Sequence, residues 1–470
     1  MLDQHDKIKE LETASILPLL VKYSLPAIAG MVVFAIYNVV DSIFVGQWIG
    51  KAGLAGIAIA FPITTITFAL GTLIGLGGAA RLSIRLGEKK YELASRVLGN
   101  VVFMGPVLGV LFGWTMSLFF LPHILHLFGT DAETFEPAYE FTRVMLLGSP
   151  ITYLFFNQNH LMRASGFPGK AMCSMILSVG VNVILAPIFI KILGWGMYGT
   201  ALATMCAQTV GLVWVLAHFC GKDRIVRFRR GIFRPRWYVI KSIFSIGLAP
   251  CLMNICACIV VLVINRALLQ FGGNSAIAAY GILNRILIVS GMTVIGITQG
   301  MQPIIGYNHG AGNRDRVLKT LRYGVTAGTA ISTFFAAFCV IFPQLISCLF
   351  TSDESLHAVT NEALRFSTIA LPFVGGPMVL GNFYQAIGRA KLSIFLSVTR
   401  QMLFLIPLLL ILPRFWGTMG VWLSMPIADT ITFVVNIFLI ISFLRGYQIK
   451  HADVAGAKAR ALYAANHGEK

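Results

Sequence analysis

The sequence predicts an all-α integral membrane protein of about twelve transmembrane helices, built as two homologous six-helix bundles related by a pseudo-twofold axis along the membrane normal. Three observations carry that prediction. Of 470 residues, 57% are hydrophobic and only 12% charged, whereas a soluble domain carries about 25% charged residues. Basic and acidic loops alternate along the chain, and the second half repeats the first.

Charges are scarce because lipid cannot hydrate them. The apolar runs 97–121, 197–219 and 331–350 exceed the roughly 18–20 residues that cross a hydrocarbon core. The run 175–190 is shorter and is expected to extend on both sides. Read in order, the spans fall near 16–46, 55–80, 97–120, 137–163, 170–190 and 198–220, then 240–268, 277–305, 320–348, 360–386, 391–412 and 418–444. Residues 1–15 are polar and mixed in charge, without the charged, apolar and small-residue succession of a cleaved signal peptide. They are expected to form a cytoplasmic segment. The two lobes are then 16–220 and 241–444, joined by a basic linker at 221–240 and followed by a tail at 445–470.

The loops set the orientation. Arg81, Arg85, Lys89, Lys90 and Arg96 crowd one loop; Arg227, Arg229, Arg234, Arg236 and Lys241 crowd the linker; Arg314, Arg316, Lys319 and Arg322 crowd a third. The alternate loops are acidic, with Asp131, Glu133 and Glu136 in one and Asp353, Glu354 and Glu362 in another. Under the positive-inside rule both termini are expected in the cytoplasm, the chain being a multi-pass protein of the inner, cytoplasmic membrane. A net charge of +18 could suggest nucleic acid, but the basic residues sit at helix ends and form no separate face, so no nucleic-acid partner is expected. The eight cysteines lie in or beside apolar segments without CxxC or CxxH spacing, which argues against a disulfide framework or a zinc site.

The internal repeat is readable residue by residue. Leu127-Phe128-Gly129-Thr130-Asp131 matches Leu349-Phe350-Thr351-Ser352-Asp353, and Arg143, Pro150 and Gly166 then meet Arg365, Pro372 and Gly388. After one dropped residue, Lys170 meets Lys391 and Trp195-Gly196 meets Trp416-Gly417. Earlier in the chain, Gly87 falls on Gly312 and Asp41 on Arg266, while Asp429 aligns with Gln208. An even number of helices per repeat gives both halves the same orientation, leaves a cavity between them and lets one rock against the other.

Asp41 is the first candidate functional residue. Placing an aspartate in mid-span costs about 3 kcal/mol on insertion scales. Such a carboxylate could take up and release a proton, hold a small cation with nearby oxygens, or simply stay hydrogen-bonded near the membrane surface. Candidate neighbours are Tyr37 and Asn38 on the same span, Asn182 on the fifth and Thr204 on the sixth. In the second half Arg266, Arg285, Arg400 and Asp429 fall within or near spans and could form a charge network, with Asp429 paired to an arginine. Arg163 and Lys170 bracket a cytoplasmic turn, where snorkelling is expected. The chain has no Gly-x-x-x-x-Gly-Lys-Ser/Thr loop for ATP and no His-Glu-x-x-His metal motif. No catalytic cluster is found, so no enzyme is expected, and an ion gradient is left as the energy source.

Gln299-Gly300-Met301-Gln302-Pro303, continuing to Tyr307-Asn308-His309-Gly310-Ala311, resembles the Q-G-x-Q-P…Y-N-x-G-A signature of MATE (multidrug and toxic compound extrusion) transporters. Leu161-Met162-Arg163-Ala164-Ser165-Gly166 is similar to that family's L-x-R-A-x-G, and 37–46 to its Y-N-x-V-D-x-x-F-x-G, closest to the bacterial branch with MepA- and DinF-type pumps. The resemblance implies export of organic, often cationic or amphiphilic compounds in exchange for protons or sodium ions, by alternating access between two lobes. It implies a cation site on Asp41, Asn182 and Thr204, with no cofactor and no metal beyond a possible sodium ion at Asp41. Some members carry a second acidic residue one turn after the asparagine, where this chain has Ala186; others carry a glutamate in the seventh span, where 240–268 has no acidic residue. The expected partners are small organic substrates and the lipid bilayer, the protein acting as a monomer. An alternative expectation is a flippase for lipid-linked oligosaccharides or related substrates, whose phosphates Arg266, Arg285 and Arg400 could meet.

Overall fold

In a computed structural model the described residues are 4–221, 225–229, 231–350 and 354–467, and the side chains at 4, 5, 38, 355, 444 and from 446 onward lie outside that description. The expected tail 445–470 therefore falls largely outside it, as do 222–224 and 230 of the linker. A short N-terminal helix, Gln4–Thr13, precedes the first span. Spans 1 to 3 are Ile16–Trp48, Lys51–Gly87 and Tyr91–Leu127, and spans 5 and 6 are Pro168–Ile192 and Gly196–Cys220. Span 4 is two shorter helices, Phe135–Leu147 and Ser149–Ala164, meeting at Gly148.

The second lobe repeats this plan. The helical stretch Trp237–Gly310 breaks at Gly273 (φ 64°) into spans 7 and 8. Span 9 is Arg314–Ile341, continued by Pro343–Phe350. Span 10 is the pair Leu356–Thr368 and Pro372–Ala386, bent by 52° where Pro372 interrupts the helix. Ala390–Phe443 breaks at Gly417 (φ 55°) into spans 11 and 12. Among the described residues the chain thus makes twelve passes, several of them longer than the apolar runs alone: span 2 carries on through Arg81 and Arg85 to Gly87. Basic side chains there extend the helix past the hydrocarbon without breaking it.

The turns carry the repeat. Gly50, Gly166 and Gly196 have positive φ (89°, 99° and 51°), as do their counterparts Gly273, Gly388 and Gly417 (64°, 75° and 55°). Gly312 (φ 77°) is matched by Lys89 (φ 59°), a non-glycine held in the left-handed region. This correspondence corrects the register read from sequence. Gly87 pairs with Gly310, two residues before Gly312, and Asp41 pairs with Ile264, while Arg266 pairs with Ile43. The sequence match followed a glycine-plus-charge cluster, whereas backbone geometry is anchored on the turns.

The lobes meet through glycine on the side that bears the basic loops. A Cβ at Gly87 would lie 1.9 Å from the Tyr307 carbonyl oxygen, and one at Gly310 would lie 2.1 Å from that of Ile84. Gly77 packs on Ile243 and Gly247 in the same way, and Gly300 on Ser24. Such reciprocal contacts are what a twofold between spans 2 and 8 requires, with small residues letting backbones touch.

Candidate functional site

Span 1 shows two faces. Val32, Ile36, Val39 and Ile43 are exposed and lie where lipid would be, while Asp41 is buried at 8% exposure. Helical spacing puts Asp41 one turn beyond Tyr37 on the inward face. Its Oδ1 has no hydrogen-bond partner among the described residues. Toward the acidic-loop side an apolar layer closes over it: Phe44 stacks on Trp48 at 4.8 Å, packed with Ala186, Ile190 and Ala203. The Lys191 Nζ sits 5.9 Å from the Trp48 ring centroid. Ala186, one turn after Asn182, is fully buried in this layer and supplies no oxygen.

Below Asp41 three spans are tied by hydrogen bonds. Tyr37 Oη lies 2.9 Å from Thr204 Oγ1, Asn182 Nδ2 donates to the same oxygen at 3.2 Å, and the Thr204 hydroxyl donates to the Thr200 carbonyl at 3.2 Å. A hydroxyl has one proton and two acceptor sites. With its proton on Thr200, Thr204 accepts from both Tyr37 and Asn182, and its capacity is used up. The side chain of Asn38 lies outside the described residues.

The group lines a small, partly open pocket in the first lobe. Phe34, Phe155, Phe156 and Met175 supply its apolar wall, and Tyr37, Asn182, Thr204 and Gln208 its polar one. Phe156 meets Phe34 and Phe68 edge-on at 6.0 and 5.4 Å. Gln208 and Thr152 were not singled out from sequence; Thr152 Oγ1 donates to Gln208 Oε1 at 2.6 Å. The available signal was a glutamine in mid-span, which has to find a partner in lipid.

The charges of the second lobe do not gather. Arg400 Nε donates to Asp429 Oδ1 at 2.6 Å, with side-chain exposures of 31% and 4%. Arg285 instead lies 5.6 Å from the Phe350 ring centroid, and Arg266 is exposed on span 7. Of the four residues expected as a network, two form a pair. Because the Asp429 carboxylate is buried and the Arg400 guanidinium is not fully so, Arg400→Met is expected to destabilise the protein by roughly 2 kcal/mol. Arg400→Met/Asp429→Leu should recover most of that loss, as read from thermal unfolding in detergent; a double variant as unstable as the single one contradicts the pairing.

Arg163 does not snorkel. It is 8% exposed, hydrogen-bonds Gln299 across the lobe junction and lies 3.0 Å from His160 Nδ1. The second lobe covers the turn that sequence alone leaves open to water. Arginine can only donate, so His160 accepts at Nδ1.

The MatE family pattern matches residues 26–188 and 246–411, one stretch in each lobe. The multidrug export protein MepA of Staphylococcus haemolyticus is 27% identical over 443 residues, covering 94% of this chain and 97% of that protein. Among solved structures, the MATE multidrug transporter DinF-BH is 35% identical with a TM-score of 0.85, covering 92% of this chain and 96% of that one. A MATE protein in a bent conformation gives a TM-score of 0.89 at 25% identity, covering 95% and 99% of the two chains.

Proposed function

Because the chain belongs to the MatE family, we propose that it is a proton-coupled exporter of small organic compounds, cationic and amphiphilic ones above all, working by alternating access between its lobes. Members of the family are transporters, not enzymes. The positive-inside rule places the basic loops and both termini in the cytoplasm and the chain in the cytoplasmic membrane.

The observation that carries the reading is Asp41: a buried carboxylate with one oxygen unpartnered among the described residues, next to a hydrogen-bonded trio that lines an aromatic pocket. A proton needs only that oxygen. A sodium ion needs several oxygen ligands, and here Thr204 Oγ1 is saturated and Ala186 offers none. In the cycle, an organic cation held near ionised Asp41 is released when the carboxylate takes a proton from outside. Asp41 gives that proton up once the lobes have rocked and the site faces the cytoplasm. Moving one charge through ~100 mV supplies about 2.3 kcal/mol, enough for roughly 50-fold accumulation. One proton exchanged for one monovalent cation cancels the voltage and leaves the pH difference as the drive.

In proteoliposomes loaded with ethidium, a pH gradient alone is expected to drive transport and a sodium gradient alone to drive none. Transport on sodium alone overturns the proton reading. Transport on neither gradient overturns the drug-export reading and brings labelled lipid translocation to the front.

A further inference from the structure

We propose that the N-terminal helix is a clasp that holds the cytoplasmic side closed, and that Arg316 is the residue that positions it. The inference rests on the alternating-access reading above. Gln4–Thr13 is buried through Ile8 and Leu11, at 6% and 1% exposure. On the first lobe Lys7 packs against Gly166, where an added Cβ would lie 3.3 Å from the lysine Cβ, and Glu10 pairs with Lys22. Further ties run to the second lobe. Tyr307 Oη donates to Glu12 Oε2 at 3.2 Å, and Asn308 Nδ2 donates to the Leu11 carbonyl at 3.0 Å. Arg316 Nη2 reaches the Leu11 and Ala14 carbonyls at 3.1 and 2.7 Å, while its Nε donates to Asn308 Oδ1 at 3.1 Å.

The physical sense lies in the helix C-terminus. The last carbonyls of a helix have no intrahelical partner and carry partial negative charge. Leu11 and Ala14 present those carbonyls, and the cation that caps them belongs to the other lobe. Tyr307 and Asn308 lie one turn from Gly310, where the two lobes touch backbone to backbone. Rocking the lobes apart on this side removes Tyr307, Asn308 and Arg316 from the helix together. The cap therefore exists only while the cytoplasmic side is closed, and its strength adds to the stability of that state. Weakening it shifts the population toward the inward-open state, which raises apparent affinity for substrate arriving from the cytoplasm.

The test is hydrogen exchange on the full chain in nanodiscs, alongside ethidium KM in inverted vesicles. In the unsubstituted protein, amides of 8–14 should be protected together with 84–88 and 307–311. In Arg316→Gln all three segments should exchange about tenfold faster, since charge-assisted hydrogen bonds to two carbonyls are lost. KM should fall severalfold, Arg316→Lys should recover part of both effects, and removal of residues 2–13 should reproduce the KM change. Free exchange of 8–14 in the unsubstituted protein overturns the clasp. So does an Arg316→Gln protein in which 8–14 is released while 84–88, 307–311 and KM stay unchanged. If the unsubstituted protein transports nothing, the export reading falls, and the exchange data still decide whether the helix clasps the lobes.

Discussion

Asp41→Asn is expected to reduce pH-driven accumulation from as much as about tenfold per pH unit of gradient to none, while leaving the protein folded and able to bind dye. The substitution keeps the shape of the side chain and removes its ability to carry a proton. Asp41 Oδ1 is without a partner among the described residues and the group is buried, so no hydrogen bond from a described residue to that oxygen is lost. Thermal stability should hold or rise, because a mid-span aspartate costs about 3 kcal/mol on insertion scales and an amide costs less. Dye binding by fluorescence, thermal unfolding and gradient-driven uptake are read on the same preparation. Full gradient-driven activity in Asp41→Asn would remove Asp41 from the coupling step, and loss of binding together with loss of fold would make its role structural.

The second large effect is expected at the lobe junction. Gly87→Val and Gly310→Val each place a branched side chain where an added Cβ already falls 1.9 or 2.1 Å from a backbone carbonyl oxygen of the facing span. No side-chain rotation relieves contact with backbone, so the spans must separate and the cytoplasmic side cannot close. Both variants should abolish transport, and by the pseudo-twofold they should do so to a similar degree. Gly180→Ala is the control, since a Cβ there meets nothing within 4 Å; it should transport normally. A Gly87→Val protein with full turnover would show that the observed junction is not part of the cycle.

How much of this was readable beforehand differs by feature. The spans follow from long apolar runs, and the repeat from matched motifs such as those at Leu127 and Leu349. Asp41 stood out because a charge in mid-span is costly wherever the chain folds. Its register mate did not: the match with Arg266 failed because helix interiors of similar composition slide past one another in an alignment, while turn glycines such as Gly50 and Gly273 do not. Arg163 was misplaced for a related reason. An arginine near a turn has the same sequence signature whether it meets water or the Gln299 side chain of another lobe.

The amino-acid sequence therefore settled what the bilayer enforces along the chain: which segments cross, how the halves correspond in outline, and which polar residue is out of place in lipid. Those properties depend on local transfer free energies and carry no information about neighbours. Saturation of Thr204, pairing of Arg400 with Asp429 but not with Arg285, and capping of the first helix by Arg316 all join residues far apart in the chain. They came from the packed structure, because a hydrogen-bond partner is chosen by distance in space among helices that sequence periodicity treats one at a time.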